Sequence, residues 1–139
     1  MSRYQNIARA KAIESENKKK LLKLNPELND ESGIYFFLRE DENGFRFAYI
    51  GQAVKILTRL ASHMTGYEQH IDLSLRKHKL YDEQKNPHGW RVEFLNFPES
   101  ELDEREKHFI KLYADTGYQL RNVSLGGQGE NRASGSIGE

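Results

Sequence analysis

The stretch GIYFFLREDENGFRFAYIGQ, residues 33–52, holds two apolar runs on either side of an Asp-Glu-Asn-Gly sequence. Aromatic and β-branched residues around such a turn sequence are typical of a β-hairpin. Gly-Ile-Tyr opens the first run and Tyr-Ile-Gly closes the second, so each strand carries a tyrosine near its open end. Whether these tyrosines meet depends on the loop that joins the strands.

Two loop lengths are compatible with the turn sequence. A two-residue Asn-Gly loop pairs Glu42 with Phe45 and sends Tyr35 and Tyr49 to opposite faces of the sheet. A three-residue loop, with Gly44 in the left-handed conformation, pairs Asp41 with Phe45 and puts both tyrosines on one face. The second loop leaves a consistent apolar face of Ile34, Phe36, Leu38, Ala48 and Ile50. We therefore predict the three-residue loop, with Tyr35, Phe37, Phe47 and Tyr49 on the opposite face.

The rest of the chain predicts one α/β (α+β) domain with tails, since 139 residues suffice for one core. We expect a helical N-terminal arm over residues 1–30, a folded domain over 31–127 and a flexible, Gly-rich tail over 128–139. The expected fold is a small central antiparallel sheet of three strands, flanked by helices. The predicted strands are 33–40, 45–51 and 90–96; the helices are 3–24, 53–64, 68–81 and 101–115, and a short extended segment covers 118–123.

The composition limits the class of protein. The chain has no cysteine, no apolar run near the roughly 20 residues of a membrane span, and no signal-peptide pattern at its start. We therefore expect a cytoplasmic protein without membrane contact. The 21 basic and 21 acidic residues give zero net charge, which counts against a nucleic-acid partner. The basic residues are unevenly distributed, however, with an excess between residues 55 and 91, so a neutral total is compatible with a basic face.

The helix after the hairpin carries a row of cations. Lys55, Arg59 and His63 follow one another at intervals of four and therefore lie on one helix face, beside an apolar stripe. Such a row is either a solvated surface or a surface that faces phosphate, and both interpretations remain open at this point.

The late helix contains a carboxylate on its apolar stripe. Leu102, Phe109, Ile110 and Tyr113 define the stripe, and it passes through Glu106. A carboxylate in that position must be paired, protonated or bound to a metal, because burying an unpaired charge is costly. One interpretation is an ion pair with Arg59 or Lys111, and the other is a functional role.

Taken together, these features resemble the GIY-YIG nuclease superfamily over residues 33–127. The resemblance consists of the two tripeptides, Arg59 eight residues after the second glycine, His63 four residues later, and Glu106 on a late helix. GYQLRNVSLGG follows, where the family commonly has a Gly-Tyr-Asn-Leu-like strand and a glycine pair. Gln119 stands where the family often has asparagine, and Asn122 is the other candidate for that role.

The resemblance implies an endonuclease that hydrolyses DNA phosphodiester bonds with one divalent metal ion. Mg²⁺, for which Mn²⁺ can substitute, would be held by Glu106. Arg59 would bind a phosphate oxygen, and Tyr35 is the candidate general base, with His63 as auxiliary donor or proton shuttle. Tyr49 would position water or phosphate. Gly33 and Gly51 would permit close backbone approach. The alternative is a catalytically silent module of the same fold that binds nucleic acid or a protein.

Contacts to the DNA substrate are expected on the basic segment. The candidates are Lys55, Arg76, Lys77 and Lys79, with Arg59 facing the scissile phosphate. In the arm, Lys18, Lys19 and Lys20 predict either a further DNA contact or a helix that is solvated or self-associating.

Overall fold

The computed structural model describes residues 3–67 and 69–122. The regular elements are, in chain order, α1 (Arg3–Leu24), β1 (Gly33–Glu40), β2 (Arg46–Ala53), α2 (Ile56–His63), α3 (His70–His78), β3 (Arg91–Asn96), α4 (Leu102–Asp115) and β4 (Gln119–Leu120), with a 3-10 turn (Glu99–Glu101) before α4. The mixed α/β class is confirmed. The predicted tail over 128–139 lies outside the described residues.

The hairpin has the predicted three-residue loop. The backbone N–H of Asp41 donates to the carbonyl of Phe45 at 2.9 Å, and Gly44 has φ of +86°. Tyr35 therefore lies opposite Gly51, and Phe37 opposite Tyr49. Asp41 Oδ1 also accepts from the backbone N–H groups of Asn43 and Phe45, both at 2.9 Å, which fixes the turn.

The sheet has four strands, in the order β3-β1-β2-β4, so the prediction of a three-stranded antiparallel sheet is wrong. β1 pairs antiparallel with β2 and β3, whereas β4 runs parallel to β2. The segment predicted as extended near residue 120 forms this fourth strand, through the pairs Phe47 with Gln119 and Ala48 with Leu120. A segment of two residues is too short to show the alternation of a strand. Its partner β2 lies about 70 residues earlier in the chain, so the local sequence does not reveal the pairing.

Both faces of the sheet are covered, by different helices. On one face the side chains of β1 and β2 pack with α1, α2 and α3; on the other they pack with α4. The buried members of the first cluster are Leu21, Leu28, Tyr35, Phe37, Phe47, Tyr49, Ile56, Leu60, Ala61, Ile71, Leu75, Trp90 and Val92. Those of the second are Ile34, Phe36, Ile50 and Leu102. The two tyrosines thus belong to a buried face, which we call the tyrosine face; the other is the α4 face.

Helix α1 has the predicted bounds but packs only along its second half. Ile7 and Ile13 are 48% and 43% exposed, whereas Leu21 is fully buried in the cluster that contains Tyr35. Asn17, also buried, donates to the carbonyl of Ala61 in α2 at 3.4 Å. The second half of the predicted arm is therefore part of the core that supports the tyrosine face. None of the helices within the described residues combines the length and apolarity that crossing a bilayer requires.

Candidate active site

The hairpin, α2 and α3 bring three aromatic rings together on the tyrosine face. The rings of Tyr35 and Tyr49 stack with centroids 6.3 Å apart, and the imidazole of His63 lies 5.6 Å from the first and 5.4 Å from the second. All three residues are buried, with Tyr35 and His63 each 1% exposed. The structure therefore brings together Tyr35, Tyr49 and His63, three of the predicted site residues.

A chain of short hydrogen bonds runs through His63. Its Nε2 lies 2.6 Å from the Tyr35 hydroxyl, and its Nδ1 lies 2.6 Å from Oδ1 of Asp72. Because a carboxylate only accepts, Nδ1 carries the hydrogen and donates to Asp72. Burial lowers the pKa of His63 despite the neighbouring Asp72, so the ring is neutral near pH 7. In the neutral ring Nε2 is an acceptor, and the Tyr35 hydroxyl donates to it.

Asp72 is held at both carboxylate oxygens. Oδ1 accepts from His63, and Oδ2 accepts from the backbone N–H of Gln69 at 3.2 Å, as one half of a capping box that begins α3. A Cβ at Gly66 would collide with Oδ2, so glycine at this position makes room for the carboxylate. Asp72 is 4% exposed. The start of α3 thus fixes the imidazole, and through it the Tyr35 hydroxyl.

Both tyrosines are strongly disfavoured as phenolates. Burial, followed by the neighbouring Tyr49, raises the pKa of Tyr35 well above its usual value, although the charge of Arg59 opposes this. Burial also raises the pKa of Tyr49 to about 12. The charge of Glu106 raises the pKa of both phenols, so this carboxylate belongs to the same electrostatic environment. At neutral pH Tyr35 is therefore a neutral phenol, and its hydroxyl is hydrogen-bonded to His63.

The absence of a side chain at Gly33 and at Gly51 has a different structural cause at each position. A Cβ at Gly33 would collide with the carbonyl oxygen of Leu95 and come within 2.9 Å of Ile56 Cδ1, so close backbone approach requires glycine there. A Cβ at Gly51 would instead collide with the ring and hydroxyl of Tyr35. Gly51 therefore leaves space for the phenol, which lies across it.

The prediction of three cations in a row on α2 is wrong for His63. Lys55, just before the helix, and Arg59 are exposed, but His63 is buried and neutral, because α3 packs across the end of α2. Arg59 Nη1 donates to Ser62 Oγ at 3.3 Å, and within residues 3–67 and 69–122 no carboxylate forms an ion pair with this guanidinium. Arg59 thus retains donors and charge for an anion beside Tyr35.

Glu106 lies on the α4 face, half-buried as its position on the stripe predicts. Its Oε1 accepts from Nε2 of Gln52 at 2.8 Å, and the same amide donates to Asp103 Oδ1 at 2.8 Å. The ion-pair interpretation is not supported within the described residues, because Lys111 binds Asp115 and Arg59 binds Ser62. Burial raises the pKa of Glu106, the Gln52 hydrogen bond opposes this, and the Asp103 charge adds to it.

A cation fits this carboxylate, because Glu106 is partly desolvated and a neutral amide is its hydrogen-bond partner. The residues that could hold a divalent ion are Glu106 and Asp103, with the amide of Gln52 beside them. Within the described part of the chain, no cluster of three or more His, Cys, Asp or Glu side chains has the arrangement of a metal site. Any ion held here would keep most of its ligands as water or substrate oxygens, as Mg²⁺ commonly does.

Of the two candidates for the late asparagine role, Asn122 is the one whose side chain binds the hairpin. Its Oδ1 accepts from the Ile50 backbone N–H at 3.1 Å, and its Nδ2 donates to the Ile50 carbonyl. Gln119 is exposed and pairs through its backbone with Phe47. The side chain of Asn122 therefore pairs with the backbone of β2 just before Gly51. It takes the place of a further residue of the neighbouring strand.

The predicted DNA-contacting residues divide into two groups. Lys55, Lys77 and Lys79 are exposed, and their role stays a prediction. Arg76 is engaged internally: its guanidinium donates to the carbonyls of Thr65 and Gly66 and lies 4.0 Å from the ring centre of Tyr67. Its first function in the fold is to fix the loop between α2 and α3.

Sequence reasoning missed Asp72 and Gln52. Asp72 is the third helical residue after Gln69, a capping position that accounts for an acidic residue without any further role. Gln52 follows the second tripeptide and alternates onto the face opposite Gly51. Neither position carries a pattern that would separate it from an ordinary polar residue, since Asp72 meets His63 only where α3 packs on α2, and Gln52 meets its partners on α4.

The chain matches no family model, and neither the curated proteins nor the solved structures include a match to it.

Proposed function

We propose that the chain is a metal-dependent endonuclease of the GIY-YIG type that hydrolyses phosphodiester bonds of DNA. The observation that carries the proposal is the hydrogen-bonded chain from the Tyr35 hydroxyl through His63 to Asp72, beside the guanidinium of Arg59, with which no carboxylate of the described residues forms an ion pair. A proton acceptor next to an anion-binding cation suits hydrolysis of an anionic ester, in which water must lose a proton while negative charge builds on phosphate oxygens.

The proton path follows from the tautomer of His63. As a water oxygen attacks phosphorus, its proton passes to the oxygen of Tyr35, whose own proton moves to Nε2 of His63. The resulting imidazolium is stabilised by Asp72, in the manner of a buried carboxylate behind a histidine base. Tyr35 therefore serves as a relay that never has to exist as a free phenolate, which agrees with its raised pKa.

The charges of the phosphate are met from two sides. Arg59 binds a non-bridging oxygen, which its planar donors suit. A divalent ion at Glu106 would supply Lewis-acid stabilisation of the leaving oxygen. The P–O bond to that oxygen breaks, and the oxygen takes up a proton from solvent.

Substrate access requires a local side-chain movement, because the Tyr35 hydroxyl is almost fully buried. Arg59 is exposed, and its charge acts on the phenol. We propose that the substrate phosphate draws Arg59 away from Ser62 as it binds. This movement would uncover the Tyr35 hydroxyl.

The test is a nicking assay on supercoiled plasmid DNA. Wild-type protein with Mg²⁺ or Mn²⁺ should convert the plasmid to open-circular or linear form, and excess EDTA should stop the reaction. Tyr35→Phe, which removes only the relay oxygen, should lose activity by about 100-fold or more. The matched control is Tyr113→Phe, a half-buried tyrosine of the α4 face, which should cut at the wild-type rate.

Wild-type protein that binds DNA without cutting it under any of these metals would contradict the proposal. The silent binding module would then be the better description. Equal activity of Tyr35→Phe and wild type would leave hydrolysis standing and remove the proposed proton path.

A further inference from the structure

Two arginines lie against one aromatic ring at the far end of the tyrosine face. The guanidinium carbon of Arg39 is 5.2 Å from the ring centre of Phe47, and that of Arg121 is 4.8 Å from the same centre. Arg39 pairs with Phe47 across β1 and β2, and the Arg121 backbone N–H donates to the carbonyl of Ala48 at 2.7 Å. Two separate chain segments thus bring like charges to one place.

Nothing in the described chain neutralises this pair directly. Arg39 Nε donates to the carbonyl of His88 at 3.0 Å, but within residues 3–67 and 69–122 neither arginine forms an ion pair. The nearby carboxylate of Asp41 is committed to the hairpin turn, where it accepts from two backbone N–H groups. The charges of Asp41 and Glu42 act on Arg39 from nearby without an ion pair, while Arg121 repels it, and an anion bound by both guanidinium groups would offset that repulsion.

The surrounding charges are mixed, because Lys77 and His78 lie on the basic side and Asp41 and Glu42 on the acidic side of this site. His78 is half-buried, and its pKa is lowered first by burial and then by the charges of Arg39, Lys77 and Arg121. Arg39 is itself 9% exposed and packs against the ring of Trp90 as well, with its guanidinium carbon 5.7 Å from the ring centre, which fixes its position. Arg121 is exposed. The site therefore combines a rigid guanidinium with an accessible one.

We propose that Arg39 and Arg121, against the ring of Phe47, form a second binding site for a backbone phosphate of the nucleic acid. Tyr35, Phe37 and Arg39 alternate onto the same face of β1, so the pair lies about 13 Å along the strand from the Tyr35 position. This inference rests on the proposed function and extends it, because it gives the nucleic acid a path along the hairpin in addition to the exposed lysines. The planar donors of arginine suit phosphate oxygens.

The experiment measures binding of a labelled duplex of about 20 base pairs, in EDTA to prevent cleavage, between about 50 and 200 mM salt. Arg121→Gln should weaken binding several-fold at the lowest salt and reduce the slope of log K against log salt by about 0.9, the value for one phosphate contact. The matched control is Arg91→Gln, another exposed arginine over an aromatic ring, Tyr81, which should leave the slope unchanged.

A second variant tests the buried partner. Arg39→Lys keeps the charge but loses the planar fork, so it should weaken binding about 3- to 10-fold. Its melting temperature shows whether the fold is kept, and if the variant unfolds, Arg121→Gln alone decides. An Arg121→Gln slope equal to that of wild type would overturn the proposal, as would a wild-type protein that shows no salt-dependent DNA binding.

The two proposals fail in different ways. Wild-type protein that binds DNA with an Arg121-dependent slope but does not cleave it would refute the nuclease and leave the phosphate site standing. Cleavage together with an Arg121-independent slope would refute only the phosphate site.

Discussion

The polar groups on the two faces of the sheet differ in burial and in hydrogen bonding. On the tyrosine face, Tyr35, His63 and Asp72 are at most 4% exposed, and each lies in a hydrogen-bonded chain with a defined direction. On the α4 face, Glu106 is only half-buried and shares one amide, that of Gln52, with Asp103. The first arrangement is fixed by packing, and the second keeps access to solvent and to exchangeable ligands.

Under the proposed function, the two faces have different roles. A buried, fully bonded chain holds a tautomer and moves a proton, but each of its members also supports the fold, because a buried group that loses its partner is costly. A half-buried carboxylate costs the fold little to replace and can take up a cation. Substitutions on the two faces should therefore separate activity from stability in opposite ways.

The largest effect is expected for Glu106→Gln, which should reduce cleavage by about 10³-fold while the fold is kept. Because burial raises the pKa of Glu106, its negative charge costs more free energy in the folded chain than in the unfolded chain. Removing the charge should therefore leave the free energy of unfolding unchanged or slightly higher, as measured by urea denaturation.

Asp103→Asn is the matched control, since it removes the other carboxylate bound by Gln52. It should retain more activity than Glu106→Gln. A Glu106→Gln protein that unfolds, or that cuts at the wild-type rate in saturating Mg²⁺, would contradict the assignment of Glu106 and erase the contrast between the faces.

Asp72→Asn should reduce both cleavage activity and stability. An amide that turns its NH₂ group toward His63 forces the other tautomer, in which Nε2 carries the hydrogen and can no longer accept from Tyr35. We expect cleavage to fall by about 10- to 100-fold, with a change in the pH–rate profile, and stability to fall by about 1–3 kcal/mol.

The control for Asp72→Asn is Gln69→Ala, which changes the N-cap residue of α3 without touching His63. It should cost about 1 kcal/mol and leave the pH–rate profile unchanged. If both variants lose stability alike and neither alters the profile, Asp72 is only a helix cap.

The smallest effect concerns acid stability. Burial lowers the folded-state pKa of His63, so below about pH 6.5 the unfolded chain takes up a proton before the folded chain does. The free energy of unfolding should therefore decrease as the pH is lowered from about 6.5 to the folded-state pKa. This one group contributes at most about 1.4 kcal/mol per pH unit to the decrease. Urea denaturation of wild type and His63→Gln across this range should give a shallower pH dependence for the variant, and parallel curves would refute the assignment.

The loop and register of the hairpin were predictable from local sequence, although β2 spans Arg46–Ala53 and not the predicted 45–51. The alternation of apolar residues and the position of Gly44 selected the three-residue loop, because a shift of one residue would reverse both strand faces. The bounds of α1 and the position of Glu106 on the apolar stripe of α4 followed from helical periodicity in the same way. These features depend on neighbours within a few residues.

Other features were decided by packing. The buried, neutral state of His63 arises because α3 crosses the end of α2, whereas the helix periodicity alone placed it with Lys55 and Arg59. The parallel strand β4 and the junction of Arg39 with Arg121 bring together residues about 70 to 80 positions apart. No local pattern encodes such pairs.

The sequence by itself thus determined which residues line each face of the hairpin, because side-chain direction in a strand follows a period of two. Only the tertiary structure decided which polar groups meet there: Asp72 with His63, and Gln52 with Glu106. The physical reason is that a hydrogen bond requires two atoms within about 3 Å of each other. That precision comes from how α3 and α4 pack on the sheet, and helical or strand periodicity fixes the direction of a side chain but not its partner.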